Sequence, residues 1–343
     1  MQFGQFAPIT NVSFLCDIRI FAVIHNFGIH IYSYEGKLIG SPKYPVTCPE
    51  MLTASTFSLS NDTIAIREIN DEKLVSIFDI KTGEKSCDTY KHQYDITQVK
   101  LNQTEFDRCL LILDQNRDLF IVKVDGLLSA AKKICGIVDS FAWHEEQDLI
   151  FAHTDGKPTV WWYPKTFFID DDLIDLSKIT YDHHSLGQNT TCVSFDGTSC
   201  IIRRSDGAMV SIGHISLLPG MLNAFTSKKQ WEQAIRLCRA VKIKELWACL
   251  AAMSIYGNDL NTAEVAYANI EMVHKVQFVN DVKNIKSSAG RLAELALLRK
   301  QPKEAEGILL ASNLVYRAIR LNINSFNWER FIFALQKGLR YFS

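Results

Sequence analysis

The stretch CLLILDQNRDLFIVKV, residues 109–124, sets the reading of the first two-thirds of the chain. An apolar run from Cys109 to Leu113 meets a polar turn at Asn116-Arg117-Asp118, and a second apolar run with an aromatic residue continues from Leu119 to Val124. Short runs rich in β-branched and aromatic residues, bounded by Asn, Asp and Gly, read as strands joined by a tight turn. The unit recurs on both sides. Ahead of it lie Ile18 to Ile24, the turn Asn26-Phe27-Gly28 and Ile29 to Tyr34, then Thr63 to Ile69, Asn70-Asp71-Glu72 and Leu74 to Ile80. Behind it lie Leu149 to His153, Asp155-Gly156 and Val160 to Tyr163, then Cys200 to Arg203, Ser205-Asp206-Gly207 and Met209 to Ile212. The turns recur every ~40 to 50 residues, the length of one four-stranded propeller blade.

Two worn blade signatures support that period. His92, with Ile96 and Val99 after it, resembles the Gly-His entry to a blade; Phe78 and Asp79, followed by Lys81-Thr82-Gly83, resemble the Trp-Asp exit. In such blades the His and Asp fix turns by hydrogen bonding, so His92, Phe78 and Asp79 are read as structural. The expected fold of residues 1–215 is thus an all-β, WD40-like propeller, incomplete at about five blades, with unpaired strand edges where a ring of five stays open.

Near residue 215 the apolar period changes from about 2 to about 3.6, with Pro219 and Gly220 at the joint. Residues 216–343 are expected to form an all-α, tetratricopeptide-like array. Ser227 with Gln230, and Asn261 with Glu264, have capping-box spacing. Leu246 to Met253 is apolar all round, which suits a helix buried between neighbours. Trp231, Asn261, Pro302 and Asn327 each open a segment suited to a new helix, and Trp231, Trp247 and Trp328 are expected to fill inner helix faces. The irregular spacing argues for a relative of the strict 34-residue repeat.

With 343 residues and 47% hydrophobic content, two domains are expected. The net charge of −1, from 37 basic and 38 acidic residues, creates no long-range field toward nucleic acid or an anionic membrane. No run approaches the ~18 to 20 apolar residues of a membrane span. Nine dispersed cysteines without a Cys-x-x-Cys read as small hydrophobes in a reducing compartment, and the four Asn-x-Ser/Thr triplets carry no weight there. Trp161-Trp162 reads as core.

Asp170-Asp171-Asp172 with Asp175, then Asp182-His183-His184, is the cluster that tempts a metal or hydrolytic reading. It lacks the Gly and bidentate Glu of a calcium loop, and adjacent histidines on a strand point to opposite faces, so a solvated connection between blades is expected instead. Phosphate-binding loops, nucleophile elbows and zinc-protease helices have no sequence counterpart here. No catalytic residue, metal or cofactor is therefore expected.

Gly28 to Gly36, Ser58 to Arg67, Asp114 to Leu119, Leu246 to Met253, Thr262 to Tyr267 and Asn327 to Arg330 carry a resemblance over nearly the whole chain. The chain resembles the family of the eighty-kilodalton subunit of the intraflagellar transport B complex. The resemblance implies a non-enzymatic train subunit needed for cilium assembly, found at the cilium, its basal body and the cytoskeleton. It implies other B-complex subunits of the peripheral subcomplex as partners, with a homodimer as a further arrangement, and neither nucleic-acid binding nor membrane insertion. Members have two propellers before their helices, so the first propeller and the opening of the second are expected to fall outside this chain; residues 331–343 depart from the family pattern. A vesicle-coat subunit of like architecture is the alternative, and an unrecognised hydrolase using His183, His184 and the Asp run is the alternative of another class.

Overall fold

The computed structural model describes residues 13–335, apart from 17–19, 26–27, 47, 105–106, 126, 129–130, 183–185 and 334. It separates into two compact units, Met1–Trp161 with Thr180–Ser216, and Trp162–Ile179 with Leu217–Ser343. The second unit thus takes in a segment that lies, in sequence, between two strands of the first.

Among the described residues the first unit contains five small antiparallel sheets, each built from consecutive strands. They are β1 (Ser13–Cys16), β2 (Ile20–His25), β3 (Gly28–Ser33) and β4 (Leu38–Gly40); β5 (Phe57–Leu59), β6 (Thr63–Arg67), β7 (Leu74–Asp79) and β8 (Tyr90–Lys91); β9 (Ile96–Leu101), β10 (Cys109–Asp114) and β11 (Leu119–Asp125), with β12 (Leu127–Leu128) and β13 (Lys132–Cys135) both on β11; β14 (Val138–Trp143), β15 (Leu149–Thr154), β16 (Lys157–Trp162) and β17 (Lys178–Thr180); and β18 (Thr191–Asp196), β19 (Ser199–Arg203) and β20 (Met209–Ile212). This is the architecture of successive propeller blades. The hairpin quoted first pairs Cys109 with Lys123 through to Leu113 with Leu119, and its turn closes where Asp114 N–H donates to the Asp118 carbonyl.

In sheets two to four both faces of these hairpins are buried, which is why their apolar runs are continuous, whereas β20 leaves Met209 and Ser211 exposed. All six residues of β10 are buried. Leu110, Ile112 and Val122 join Ala65, Val75 and Ile77 of the preceding sheet in one cluster, while Leu111, Leu119 and Ile121 on the other face are buried as well. Between sheets one and two, Ile20, Ala22, Ile24, Ile29 and Ile31 pack on Leu52, Phe57, Ile64 and Ile66. Polar stitches run from sheet to sheet beside this core. Ser58 Oγ accepts from Leu101 N–H at 2.8 Å, Trp143 Nε1–H donates to the Lys100 carbonyl at 3.2 Å, and Glu145 N–H donates to the Phe195 carbonyl at 3.3 Å.

In the second unit α1 (Leu218–Ser227), α2 (Trp231–Val241), α3 (Lys244–Tyr256), α4 (Leu260–Asn269), α5 (Val273–Lys283), α6 (Ser288–Leu298), α7 (Pro302–Ala311) and α8 (Val315–Asn324) follow one another, and residues 328–333 are helical. Pro219 sits in the first turn of α1, where its missing N–H costs nothing. Two starts differ from the capping-box reading. Ser227 is the last residue of α1, its hydroxyl donating back to the Asn223 carbonyl, and α4 is capped by Asp259, whose carboxylate accepts from Thr262 N–H. Aspartate two residues earlier outcompetes Asn261 because its charge also suits the positive helix end.

α3 is buried along almost its whole length because α1, α2, α4 and the short turns of residues 162–179 surround it. Trp162, Phe167 and Leu173 of that segment are themselves buried, and the Cys249 thiol of α3 lies 3.7 Å from the Trp162 carbonyl.

Two substitutions test this packing. A Cβ on Gly40 would sit 1.9 Å from the Ile80 carbonyl oxygen, a backbone atom that cannot swing away. Gly40→Ala is expected to destabilise the first unit by about 3 kcal/mol through overpacking, read by urea denaturation; an unchanged midpoint would mean that β4 and the end of β7 do not approach so closely. Trp247→Ala with Leu250→Ala should cost the second unit at least about 5 kcal/mol through cavity formation, with helical circular dichroism lost at lower urea. Unaltered melting would show α3 to be misplaced.

Candidate functional site

β5, β9, β14 and β18, the first strands of sheets two to five, wall a cavity of about 690 Å3 within the first unit. Strand alternation sorts their side chains: Val99 turns into the core between sheets, while Gln98 and Lys100 line the cavity. Ser55, Gln103, Trp143, Glu145 and Cys192 are among its other polar and aromatic residues, and Lys100 and Glu145 are the charged members of the wall. The surface offers hydrogen-bonding groups of both kinds with no net charge. Among the described residues no group of three or more His, Cys, Asp or Glu is placed to hold a metal ion.

The blade-motif residues lie away from this wall. His92, between β8 and β9, is buried with Nε2 3.6 Å from Asp114 Oδ2, Nδ1 3.1 Å from the Tyr90 hydroxyl, and its ring edge-on to Phe120. Asp114 also accepts from Asp118 N–H and so ties the β10–β11 turn. Asp79 closes its own turn by accepting from Thr82 N–H at 2.7 Å, and Phe78 packs edge-on to Tyr44. The aspartate that meets His92 is thus Asp114, one sheet further on.

A second His–Asp contact escaped the sequence reading. His153 Nδ1 lies 3.0 Å from Asp139 Oδ2 and 2.9 Å from the Thr190 hydroxyl, and Arg117 from the β10–β11 turn pairs with Asp139. The order Thr, His, Asp invites comparison with a nucleophile triad. Both oxygens meet the same imidazole nitrogen, however, so the ring cannot relay a proton from Thr190 to Asp139. The arrangement joins a turn of sheet three to strands of sheet four.

The aspartate run belongs to the second unit and differs from the expected solvated connection. Asp170 is 4% exposed. Its carboxylate accepts from the Tyr267 hydroxyl at 2.9 Å, from Lys275 Nζ at 2.8 Å and from Asp172 N–H at 3.2 Å. Lys275 also reaches Asp172 at 2.9 Å, His274 lies 3.7 Å from Asp172, and Lys300 pairs with Asp171. Asp175 and Asp182 are exposed, and His183 and His184 lie outside the described residues. Asp170 alone of the three carboxylates loses its solvation, because helices α4 and α5 supply a phenol and an ammonium in its place, while Asp171 and Asp172 stay exposed.

Burial, then the Asp170 charge, pushes the Tyr267 phenol well above its ordinary value. Burial works to lower Lys275, yet hydrogen bonds and charge from Asp170 and Asp172 outweigh it and hold the ammonium above its ordinary value. Asp172 is held below the usual carboxylate range, first by its hydrogen bond from Lys275. The depressed Asp172 contributes stability above its unfolded pKa that is lost as pH falls through the folded one; the raised Lys275 and Tyr267 contribute stability that is lost as pH rises through theirs. The second unit should therefore be most stable between those limits.

Of the three tryptophans expected on inner helix faces, Trp247 is buried, Trp231 is half-buried and Trp328 is exposed at 57%. Trp231 lies against Gly257 at the end of α3, where a Cβ would come within 2.7 Å of the ring. Trp328 instead stands edge-on to Phe331 in the last helical turn described.

Lys275→Met should destabilise the second unit by about 3–5 kcal/mol at neutral pH, because it strands the buried Asp170 charge. Adding Asp170→Asn should restore most of that loss in a double-mutant cycle followed by urea denaturation. Additive losses would show that the two side chains do not interact.

The comparisons with known proteins bear on the whole of this architecture. A family model described as the IFT80 second beta-propeller matches residues 8–217, and one described as the IFT80/172/WDR35/WDR19 TPR domain matches residues 246–338. The chain is 38% identical over 329 residues to the intraflagellar transport protein 80 homolog of Mus musculus, covering 94% of this chain and 42% of that protein, and 39% identical over the same length and shares to that of Rattus norvegicus. An intraflagellar transport protein 172 homolog of Danio rerio is 22% identical over 77% of this chain and 16% of its own length. The chain thus spans about two fifths of the length of the first two relatives. With propeller sheets, helical array and both family matches in the same order on one polypeptide, the chain belongs to the IFT80 family.

Proposed function

We propose that this chain is a non-enzymatic scaffold subunit of the intraflagellar transport B complex, serving cilium assembly and movement along the axoneme. The observation that carries the reading is the joint match of propeller and helical family models across residues 8–217 and 246–338. The structure's chemistry is compatible with binding. His92 with Asp114 and His153 with Asp139 are engaged in turns and sheet junctions, and the cavity presents mixed donors and acceptors. The partners in this reading are other subunits of the peripheral B subcomplex, with self-association as a further contact, and the sites of action are the cilium, its basal body and the cytoskeleton. Two binding bodies on one chain raise each other's effective concentration, so modest contacts suffice in a polymeric train.

Affinity purification of the tagged chain from ciliated cells, followed by mass spectrometry, tests the proposal. Co-purification of intraflagellar transport subunits is the expected result. Recovery of vesicle-coat subunits in their place would overturn it.

A further inference from the structure

Two thiols that the scaffold reading leaves unused meet on the fifth sheet. Cys192 lies on β18 and Cys200 on β19, next to one another in the antiparallel pair but not directly opposed, since Cys192 faces Ile202 and Cys200 faces Phe195. A register shift between Cys192 and Ser194 disturbs the ladder at this point, and the two sulfurs lie 3.5 Å apart, in van der Waals contact. Their surroundings are unequal. Cys192 is partly exposed and lines the 690 Å3 cavity, whereas Cys200 is fully buried. The Cys200 thiol is held protonated by its contact with Cys192 and by burial.

We propose that Cys192 and Cys200 form a thiol–disulfide couple in the cavity wall, oxidised by a small disulfide of the glutathione class. The steps follow from exposure. The Cys192 thiolate attacks one sulfur of the small disulfide; that S–S bond breaks, one small thiolate leaves, and a mixed disulfide forms on Cys192. Cys200 gives its proton to the departing thiolate, and its sulfur attacks the Cys192 sulfur. The mixed disulfide breaks, the second small thiol leaves, and a Cys192–Cys200 bond remains. Two protein thiols are oxidised, and one small disulfide is reduced to two thiols. The accessible partner exchanges and the buried partner resolves, the division of labour of redox-sensing cysteine pairs. Oxidation would remove the one thiol from the cavity wall and cross-link the two strands of the sheet that carries it.

The sequence provides a clean readout, because residues 179–203 contain both cysteines, no other cysteine, and no Lys or Arg before Arg203. The purified chain is equilibrated in glutathione buffers of increasing disulfide content, quenched in acid, alkylated and digested with trypsin. The expected product is the 179–203 peptide, unalkylated and lighter by two hydrogens, lost again on reduction. The exposed Cys48 is the internal comparison and should carry glutathione without a cross-link. Cys200→Ser should trap glutathione on Cys192, and Cys192→Ser should leave Cys200 reduced, with circular dichroism showing both variants folded. Full alkylation of the peptide while Cys48 reacts, or glutathione persisting on Cys192 of the unsubstituted chain, would overturn the proposal.

Discussion

A β-hairpin that is apolar on both faces has no side to give to water, and the first unit follows from that constraint. β10 and β11 bury Leu110, Ile112 and Val122 on one face and Leu111, Leu119 and Ile121 on the other. A two-layer sandwich would satisfy one face of such a hairpin only. Placing a small sheet between two others, as sheet three lies between sheets two and four, satisfies both, at a cost: the sheet edges and turns must then find polar partners at the junctions. The partners are specific and local. Arg108 from sheet three reaches Asp62 in the turn of sheet two at 2.6 Å, and His144 Nε2 lies 3.1 Å from the Gly197 carbonyl in sheet five. Side chains that elsewhere perform chemistry are spent here on holding neighbouring sheets in place.

The same constraint explains which parts of the fold were legible. The quoted apolar runs correspond to β2 and β3, β6 and β7, β10 and β11, β15 and β16, and β19 and β20; all but β20, an edge strand, are middle strands of their sheets. Double burial makes β6, β7, β10, β15 and β16 continuous in hydrophobicity and easy to see. The first strands, such as β9 with its Thr97, Gln98 and Lys100, have one face on the cavity and mix polar with apolar residues. The last strands are two to four residues long, too short for any period. In the helical unit the starts at Trp231 and Pro302 fall where their sequence signals lie, but of the eight stops described only that of α3 carries a glycine, Gly257, and its φ is not left-handed. Six of the eight are nonetheless alike. Lys229, Asn258, Glu271, Lys300, Asn313 and Phe326 each take a left-handed conformation, and the next residue's N–H returns five positions back, as when Gln301 donates to the Ala296 carbonyl. At Lys229, Glu271, Lys300 and Phe326, packing between successive helices imposes a turn that local propensity alone would have assigned to glycine or asparagine.

Asp170 shows why a site can be misread when its partners are far away in sequence. Three adjacent aspartates look solvated because like charges at that spacing repel, and nothing within twenty residues offers a cation deep enough to hold one of them. Tyr267 and Lys275 do so from 97 and 105 residues downstream. Desolvating the carboxylate is unfavourable in itself, and the phenol, the ammonium and a backbone N–H together offset it. What such a node contributes is position more than stability: an apolar contact can slide, whereas a buried charge with three directional partners fixes one register of the 162–179 segment against α4 and α5.

That distinction between stability and position also separates the two kinds of titratable group in the chain. The Asp170 and Asp139 carboxylates are buried and each is held by more than one side-chain partner, so removing a partner would be felt as lost stability. Cys192 and Cys200 are different in kind. Their sulfurs touch each other, one is reachable from the cavity, and neither is needed to neutralise a buried charge. A protein made of rigid, heavily stitched sheets can change state without unfolding only at a place where the stitching is absent. Beside the disturbed register of β18 and β19 the side chains in contact are a thiol pair, whose chemistry is reversible and whose oxidised form adds a bond the ladder lacks.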